Sequence, residues 1–280
     1  MKIQNSARVF WGEACIAISV VRNAKNWPSV LLATFRRRFH QSGPERVFEL
    51  RTRRNVVLQC PNTAAYHPIY EIVISDVYQL RAIRWMEPPQ SVLDIGAHVG
   101  AFTCALAVDL PNATYTCVEP SDSTLHWLEH NLALNGLSNQ TRVIGAAVAS
   151  KDGEAILFEQ GEASSVSSLY DSVGSHAVPT ATMSFASAVA ACERPPELVK
   201  MDCEGGEYAA ILDSPDDCWA SIKHLLIEYH PVPGLNFGTI HTRLASLGLV
   251  QMSHRPSPTA GLGIAYFARV DSTNTWIGNH

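Results

Sequence analysis

The chain has 280 residues, 46% of them hydrophobic and 17% charged. That suffices for one large α/β domain, or a core domain with a terminal addition, and excludes a disordered chain. The formal net charge of -5 offers no global attraction to nucleic acid, so no nucleic-acid partner is expected.

Taken in chain order, Val9 to Val21 is apolar but is interrupted by Glu13 and is too short to span a bilayer. No stable membrane insertion is expected. Two helices flank Asn26-Trp27-Pro28, and the basic cluster Arg36, Arg37, Arg38 and His40 reads as a solvated helix end. Val47 to Arg53 and Asn55 to Cys60 suggest a hairpin. The spacing of Ile69, Ile72, Val73, Val77 and Leu80 predicts a helix over Pro68 to Arg84. Pro88-Pro89 marks a boundary, so residues 1–88 are read as an accessory region and 89–280 as the core domain.

Beyond that boundary, short apolar strands alternate with helices. Strands are expected at Ser91 to Ile95, Thr114 to Glu119, Arg142 to Ala149, Leu198 to Asp202 and His224 to Tyr229, with an extra one at Ala155 to Phe158. Helices are expected at Phe102 to Leu110, at Thr124 to Leu134 with Ser121 and Asp122 as caps, at Met183 to Cys192, at Glu207 to Leu212 and near Ile240 to Leu247. Leu249 to His254 and Ile264 to Val270 suggest an antiparallel pair at the sheet edge. Such alternation implies a doubly wound, mostly parallel sheet, whose ligands sit at the carboxyl ends of the strands. The seven cysteines, Cys15, Cys60, Cys104, Cys117, Cys192, Cys203 and Cys218, are odd in number and never spaced Cys-x-x-Cys. Neither a disulfide framework nor a zinc ribbon is indicated, and a reducing, cytoplasmic setting is expected.

Four constellations at those strand ends carry the chemistry. Asp94-x-Gly96-x-x-x-Gly100 is a glycine-containing loop between strand and helix, where backbone N–H groups suit an anionic group. Glu119 ends the next strand about 25 residues after Asp94, where an acid can accept from both hydroxyls of a ribose. Ala97-His98 stands where a dinucleotide fingerprint requires x-Gly, which turns the reading from NAD towards S-adenosylmethionine. Lys200-Met201-Asp202-Cys203-Glu204-Gly205-Gly206-Glu207 sets three acids in six positions beside two glycines. Asp202 and Glu204 are read as functional, and Glu207 as a structural acid in the first turn of a helix. Glu228-Tyr229-His230-Pro231 ends the fifth strand. His230 could be a general base, as could Asp202 or Glu204. Asp202, Glu228 and His230 could hold a divalent ion, a reading admitted but not favoured.

Together these pieces resemble the FkbM-type methyltransferases. The resemblance covers about Val47 to Val270, and Val199 to Glu207 is its most specific stretch, similar to the family's Lys-Ile-Asp-Val-Glu-Gly-Ala-Glu pattern. It implies a Rossmann-like class I fold, an α/β domain with a mostly parallel seven-stranded sheet, an antiparallel C-terminal edge and an N-terminal helical and hairpin extension. It implies S-adenosylmethionine as methyl donor, with Asp94, Gly96, Ala97, His98 and Gly100 around the methionine part and Glu119, Pro120 and Ser121 at the ribose. Ala146 would lie near the adenine, and Asp202 and Glu204 would face the reacting centre, joined by Glu228 and His230. The chain departs from the pattern at His98, where the family often has Asn, and at Cys203 and Gly206, where it has Val and Ala.

The acceptor implied is a hydroxyl of a sugar, glycan, glycolipid or secondary metabolite, with a small carboxylate as an alternative. A homodimer is admitted. The N-terminal helices and the loop of Ser164, Ser165, Ser167 and Ser168 are candidate acceptor lids. The rival readings are a nicotinamide oxidoreductase, against which the incomplete glycine fingerprint stands, and a non-catalytic scaffold, against which the acidic strand ends stand. Nucleic-acid base methyltransferases commonly carry Asn-Pro-Pro-Tyr or Asp-Pro-Pro-Tyr where this chain has Asp202-Cys203-Glu204-Gly205.

Overall fold

The computed structural model describes residues 16–38, 47–61, 66–83, 85, 87–159, 176–259 and 261–269. The expected Ser164 to Ser168 loop, Cys15 and His40 lie outside them. Helix α1 covers residues 16–23 and α2 is Trp27–Arg38. The strands β1 (Val47–Arg51) and β2 (Val57–Pro61) pair antiparallel as the expected hairpin. The helix expected over Pro68 to Arg84 is not continuous. A short α3 (Tyr66–Ile69) runs into a π-helical turn at Tyr70–Ile74, and a 3-10 turn follows at Leu80–Ala82. Asp76 and Gln79 between them adopt left-handed backbone, with φ of 53° and 54°, which breaks any helical register.

The core domain opens with β3 (Ser91–Ile95), α4 (Ala101–Leu106), β4 (Thr114–Val118), α5 (Asp122–Leu134) and β5 (Thr141–Ile144). It continues with β6 (Ala147–Ala149), β7 (Gly153–Glu159), β8 (His176–Ser184), α6 (Phe185–Ala190), β9 (Leu198–Met201) and α7 (Gly206–Leu212). It closes with β10 (His224–Tyr229), α8 (Phe237–Ser246), β11 (Leu249–Pro256) and β12 (Gly263–Arg269).

Seven strands form the main sheet in the order β11-β12-β10-β9-β3-β4-β5, parallel from β10 to β5 and antiparallel at β12 and β11. All residues of β3 and β9 are buried, because helices cover both faces. Alternate side chains feed two cores. Val92, Leu198 and Leu226 point to the one that α4, α5 and the N-terminal elements cover. Leu93, Ile95, Val199, Leu225 and Ile227 point to the other, covered by α6, α7 and α8.

Three further expectations need correction. Arg142 to Ala149 is not one strand. The chain leaves the main sheet after Ile144, and β6 pairs with β8 in a separate three-stranded sheet of order β6-β8-β7. Met183 and Ser184 belong to β8 rather than to the helix that follows, and Ser184 Oγ caps that helix by accepting from Ser187 N at 3.2 Å. Ser121 is the N-cap of α5, but its hydroxyl pairs with Ser123 Oγ at 3.0 Å and makes no capping bond.

Residues 47–61 are tied to the domain by helix side chains. Asn131 of α5 exchanges two bonds with the backbone of Gln59, at 2.7 and 2.8 Å, and Asn135 does the same with Val57, at 3.0 and 2.7 Å. One helix face thus satisfies the outer edge of β2, whose backbone groups would otherwise lack partners. Among the described residues, no helix is long and apolar enough to cross a membrane.

Candidate active site

The carboxyl ends of β3, β4 and β9, with β6, surround an open cavity. Of the residues singled out in the sequence, Gly96, Ala97, His98, Glu119, Pro120, Ala146, Asp202 and Glu204 line it. Asp94, Gly100, Ser121, Glu228 and His230 are not in its lining. Sequence reasoning missed Pro68 and Ile72, which come from the broken helix, and Leu157 of β7. Leu157 is an inward apolar residue of the expected extra strand and was detectable on that basis; Pro68 and Ile72 gave no local signal.

The loop after β3 is built on close approach between strands. Gly96 has φ of 69°, and a Cβ there would stand 1.7 Å from the carbonyl oxygen of Asp202. The glycine therefore lets backbone meet backbone, where the sequence suggested an approach to ligand. His98 has φ of 50°, and its backbone N–H donates to Glu119 Oε2 at 2.9 Å. Ser121 N donates to Glu119 Oε1 at 3.1 Å. The Glu119 carboxylate is thus aimed by two loops while each oxygen keeps a lone pair for a ligand hydroxyl. Burial raises its pKa to about 7, against the two backbone bonds and Lys200.

Beneath this loop lies Lys200, fully buried on β9 directly opposite Asp94. Its Nζ donates to the Gly96 carbonyl at 2.6 Å and the Ile95 carbonyl at 3.3 Å. It also stands 3.5 Å from Asp94 Oδ1 and 3.4 Å from Asp202 Oδ2. Burial opposes its charge, but the Asp202 and Asp94 carboxylates outweigh burial and raise its pKa. Asp94 itself is wholly buried and accepts from Thr103 Oγ1 at 2.7 Å. Burial raises its pKa, with Lys200 and Thr103 acting against that. Asp94 and Lys200 therefore fix the loop from below.

The turn after β9 carries the acids. Glu204 and Gly205 are both left-handed, with φ of 52° and 103°, so the chain curls around the Glu207 side chain. Glu207 is buried and accepts from Cys203 N at 2.7 Å and Gly205 N at 2.9 Å. Its Oε1 also lies 3.1 Å from His230 Nδ1, while His230 Nε2 stands 3.5 Å from Glu204 Oε2. Burial works against a charge on His230, but the hydrogen bond and charge of Glu207 prevail and raise its pKa to about 10. Burial raises Glu204 to about 7, His230 opposing and Asp202 adding to the shift. Among the described residues, Asp202, Glu204 and His230 bring three potential ligand atoms within 4.8 Å of one another. Glu228, named in the sequence as a ligand, is not of that set.

A family model described as the methyltransferase FkbM domain matches residues 94–250. The chain belongs to this family. The match takes in the loop after β3, Glu119, the turn after β9 and the end of β10, whereas Pro68 and Ile72 lie outside it. No curated protein matches the chain. Among solved structures, M. jannaschii TYW2 in complex with AdoMet is similar at 15% identity and a TM-score of 0.46, covering 82% of this chain and 89% of that one. P. horikoshii TYW2 in complex with MeSAdo is similar at 12% identity and a TM-score of 0.47, covering 81% of this chain and 71% of that one. Within the FkbM domain, the site has a cradle with a poised acid at one end and a cluster of acids at the other. That arrangement can hold a nucleoside and place a cation beside carboxylates.

Proposed function

We propose that this FkbM-family chain is an S-adenosylmethionine-dependent O-methyltransferase acting on a hydroxyl of a sugar, glycan, glycolipid or secondary metabolite. The observation that carries this reading is Glu119, oriented by the backbone N–H groups of His98 and Ser121 at the cavity wall. A carboxylate so held suits a ribose diol. Ala146, Val148 and Leu157 offer an apolar wall for the base. At the far end, Asp202 and Glu204 favour a positive charge, which fits a sulfonium and gives nothing to a pyrophosphate. That difference supports the methyl donor over NAD.

Bound S-adenosylmethionine supplies an electrophilic methyl group on a cationic sulfur. In the transfer, an oxygen–carbon bond forms at the acceptor, the sulfur–carbon bond breaks, and the sulfonium becomes a thioether. The protein aligns the hydroxyl and takes its proton. We assign that proton to Asp202 or Glu204. His230, ion-paired with Glu207 and Glu204, carries a charge near neutral pH and orients Glu204. Asp94 and Gly100 support the cradle from beneath, and Ser121 acts through its backbone. Residues 1–88 serve as an accessory region that supplies one wall through Pro68 and Ile72.

The test is a screen of the purified protein with methyl-labelled donor against sugars, glycolipids and polyketides. Label is expected in an alkali-stable ether; label only in alkali-labile esters would transfer the assignment to carboxylates, and no label in any acceptor would count against it. Lys200 and His230 already set two cations among the acids, so turnover is expected to survive exhaustive chelation. Loss restored by added Mg²⁺ would give Asp202, Glu204 and His230 to a metal.

A further inference from the structure

The outward side of the N-terminal helix pair has no part in the site described above. Helices α1 and α2 meet at residues 24–26, and their inward side chains Val20, Ala24 and Val30 are buried in the core beneath them. The pair is fastened to the hairpin. Lys25 N donates to the Arg51 carbonyl at 2.6 Å, Arg53 N to the Asn23 carbonyl at 2.8 Å, and Asn26 Nδ2 to the Glu49 carbonyl at 2.8 Å. Asn23 Nδ2 also donates to the Ile74 carbonyl at 3.2 Å, at the end of the turn that brings Ile72 to the cavity. The helices are a fixed part of the molecule, and their outward side is a built surface.

That surface is apolar. Ile18 and Val21, three residues apart on α1, are 54% and 38% exposed, and Trp27 and Leu32 of α2 are 39% and 48% exposed. Pro28 is exposed as well and lies one turn before Leu32 on the same face. A helix that packs one face on a core is expected to turn charged and polar residues outward. Here large apolar residues stand on both sides. The charges that accompany them have one sign. Between Glu13 and Glu45 the chain has no acidic residue, while Arg22 and Lys25 are exposed and α2 ends in Arg36-Arg37-Arg38. This stretch is basic in a chain whose net charge is -5. The helix dipole accounts for cations at the end of α2, but it gives no reason for the outward Ile18, Val21, Trp27 and Leu32. Single apolar residues scattered over a surface are ordinary, whereas a gathering of them beside cations marks an interaction face.

We propose that α1 and α2 form a docking surface that holds the protein on an anionic lipid bilayer. Ile18, Val21, Trp27 and Leu32 enter the boundary between headgroups and acyl chains, and the cations of the same stretch meet the lipid phosphates. Trp27 suits that boundary, because its ring is apolar and its N–H is polar. Charge decides between a bilayer and a second copy of the chain. A two-fold contact through this face sets the basic stretch against itself, whereas an anionic bilayer is complementary to it. The docking is peripheral, since among the described residues no helix is long and apolar enough to cross a membrane. It does not depend on what the cavity binds.

The test is flotation of the full-length protein with vesicles of phosphatidylcholine alone and of phosphatidylcholine mixed with phosphatidylglycerol. The wild type is expected to float with the mixed vesicles and to bind the neutral ones about tenfold more weakly or less. Ile18→Ser combined with Leu32→Ser is expected to lower partition into mixed vesicles by about tenfold, with the thermal unfolding midpoint unchanged because both side chains are exposed. Arg36→Gln, Arg37→Gln and Arg38→Gln together are expected to lower it by about fivefold per charge, or about a hundredfold. Absence of the wild type from the mixed-vesicle fraction would overturn the docking surface. So would wild-type binding that either variant retains in full, because the surface needs both its apolar and its cationic parts. Sedimentation equilibrium without lipid gives the last outcome: a dimer that Leu32→Ser dissociates assigns the face to a second copy and overturns the proposal.

Discussion

Replacing Glu119 by Ala is expected to weaken binding of S-adenosylhomocysteine by about tenfold to several hundredfold. The carboxylate would accept from two ribose hydroxyls, and hydrogen bonds to a charged group contribute about 1.5–3 kcal/mol each; water entering the gap recovers part of the loss, so a net cost of about 1.5–3.5 kcal/mol spans that range. The variant also leaves the backbone N–H groups of His98 and Ser121 without their acceptor, which loosens the cradle. The same residue sets a pH dependence. Burial raises Glu119 to about 7, and ribose hydroxyls favour its ionised form. Binding is therefore expected to lower that pKa, release protons near neutrality and tighten as pH rises through about 7. Calorimetry in buffers of different ionisation heat measures the release; affinity that is flat with pH in the wild type and unchanged in the Ala variant would remove Glu119 from the ribose.

Lys200→Met is expected to lower folding stability by about 3–5 kcal/mol, the range for removing one partner of a buried ion pair. Met keeps the volume but leaves Asp94 buried without its counter-charge and the Gly96 carbonyl without its donor. The pH dependence follows from Asp94, whose folded-state pKa is already raised by burial. A carboxyl raised on folding contributes stability below its unfolded pKa and loses it as pH rises through the folded value. Without Lys200 that folded value climbs further. The deficit of the variant should therefore be widest near neutral pH and narrow towards the ordinary carboxylate range, as denaturant unfolding at about pH 7 and about pH 5 would show. A deficit below about 1 kcal/mol would contradict the role of Lys200 as the fastening beneath the loop.

What could be read in advance follows from how local each signal is. The strand β3 with Gly96 and Gly100, Glu119 at the end of β4, and the acids after β9 are each encoded within a few residues, by apolar runs and by residue types that tolerate a tight turn. Their convergence follows from the parallel sheet, which gathers strand ends whatever their sequence separation. Tyr78 is the opposite case. It meets Asp202 and Glu228 across 124 and 150 residues, and the apolar spacing around it fits a helix that Asp76 and Gln79 break. The spacing records the burial of Ile69 and Val73 correctly but is silent about left-handed backbone. Lys200 is intermediate. Its place beside the acids of its own motif is local, but its grip on the Gly96 carbonyl arises only from the register of β9 beside β3. The separation of β6 from β5 was also hidden, because Gly145 and Ala146 interrupt an apolar run without polar punctuation.

The loop from Asp94 to Gly100, Glu119 and the acids after β9 make one central claim: the cavity holds the methyl donor and not a dinucleotide. Titration calorimetry of the wild-type protein with S-adenosylhomocysteine and, separately, NADH tests it most directly. Saturable binding of S-adenosylhomocysteine with a dissociation constant in the micromolar range, about −7 to −8 kcal/mol, and no measurable binding of NADH is the predicted result. Saturable binding of NADH with none of S-adenosylhomocysteine would contradict it.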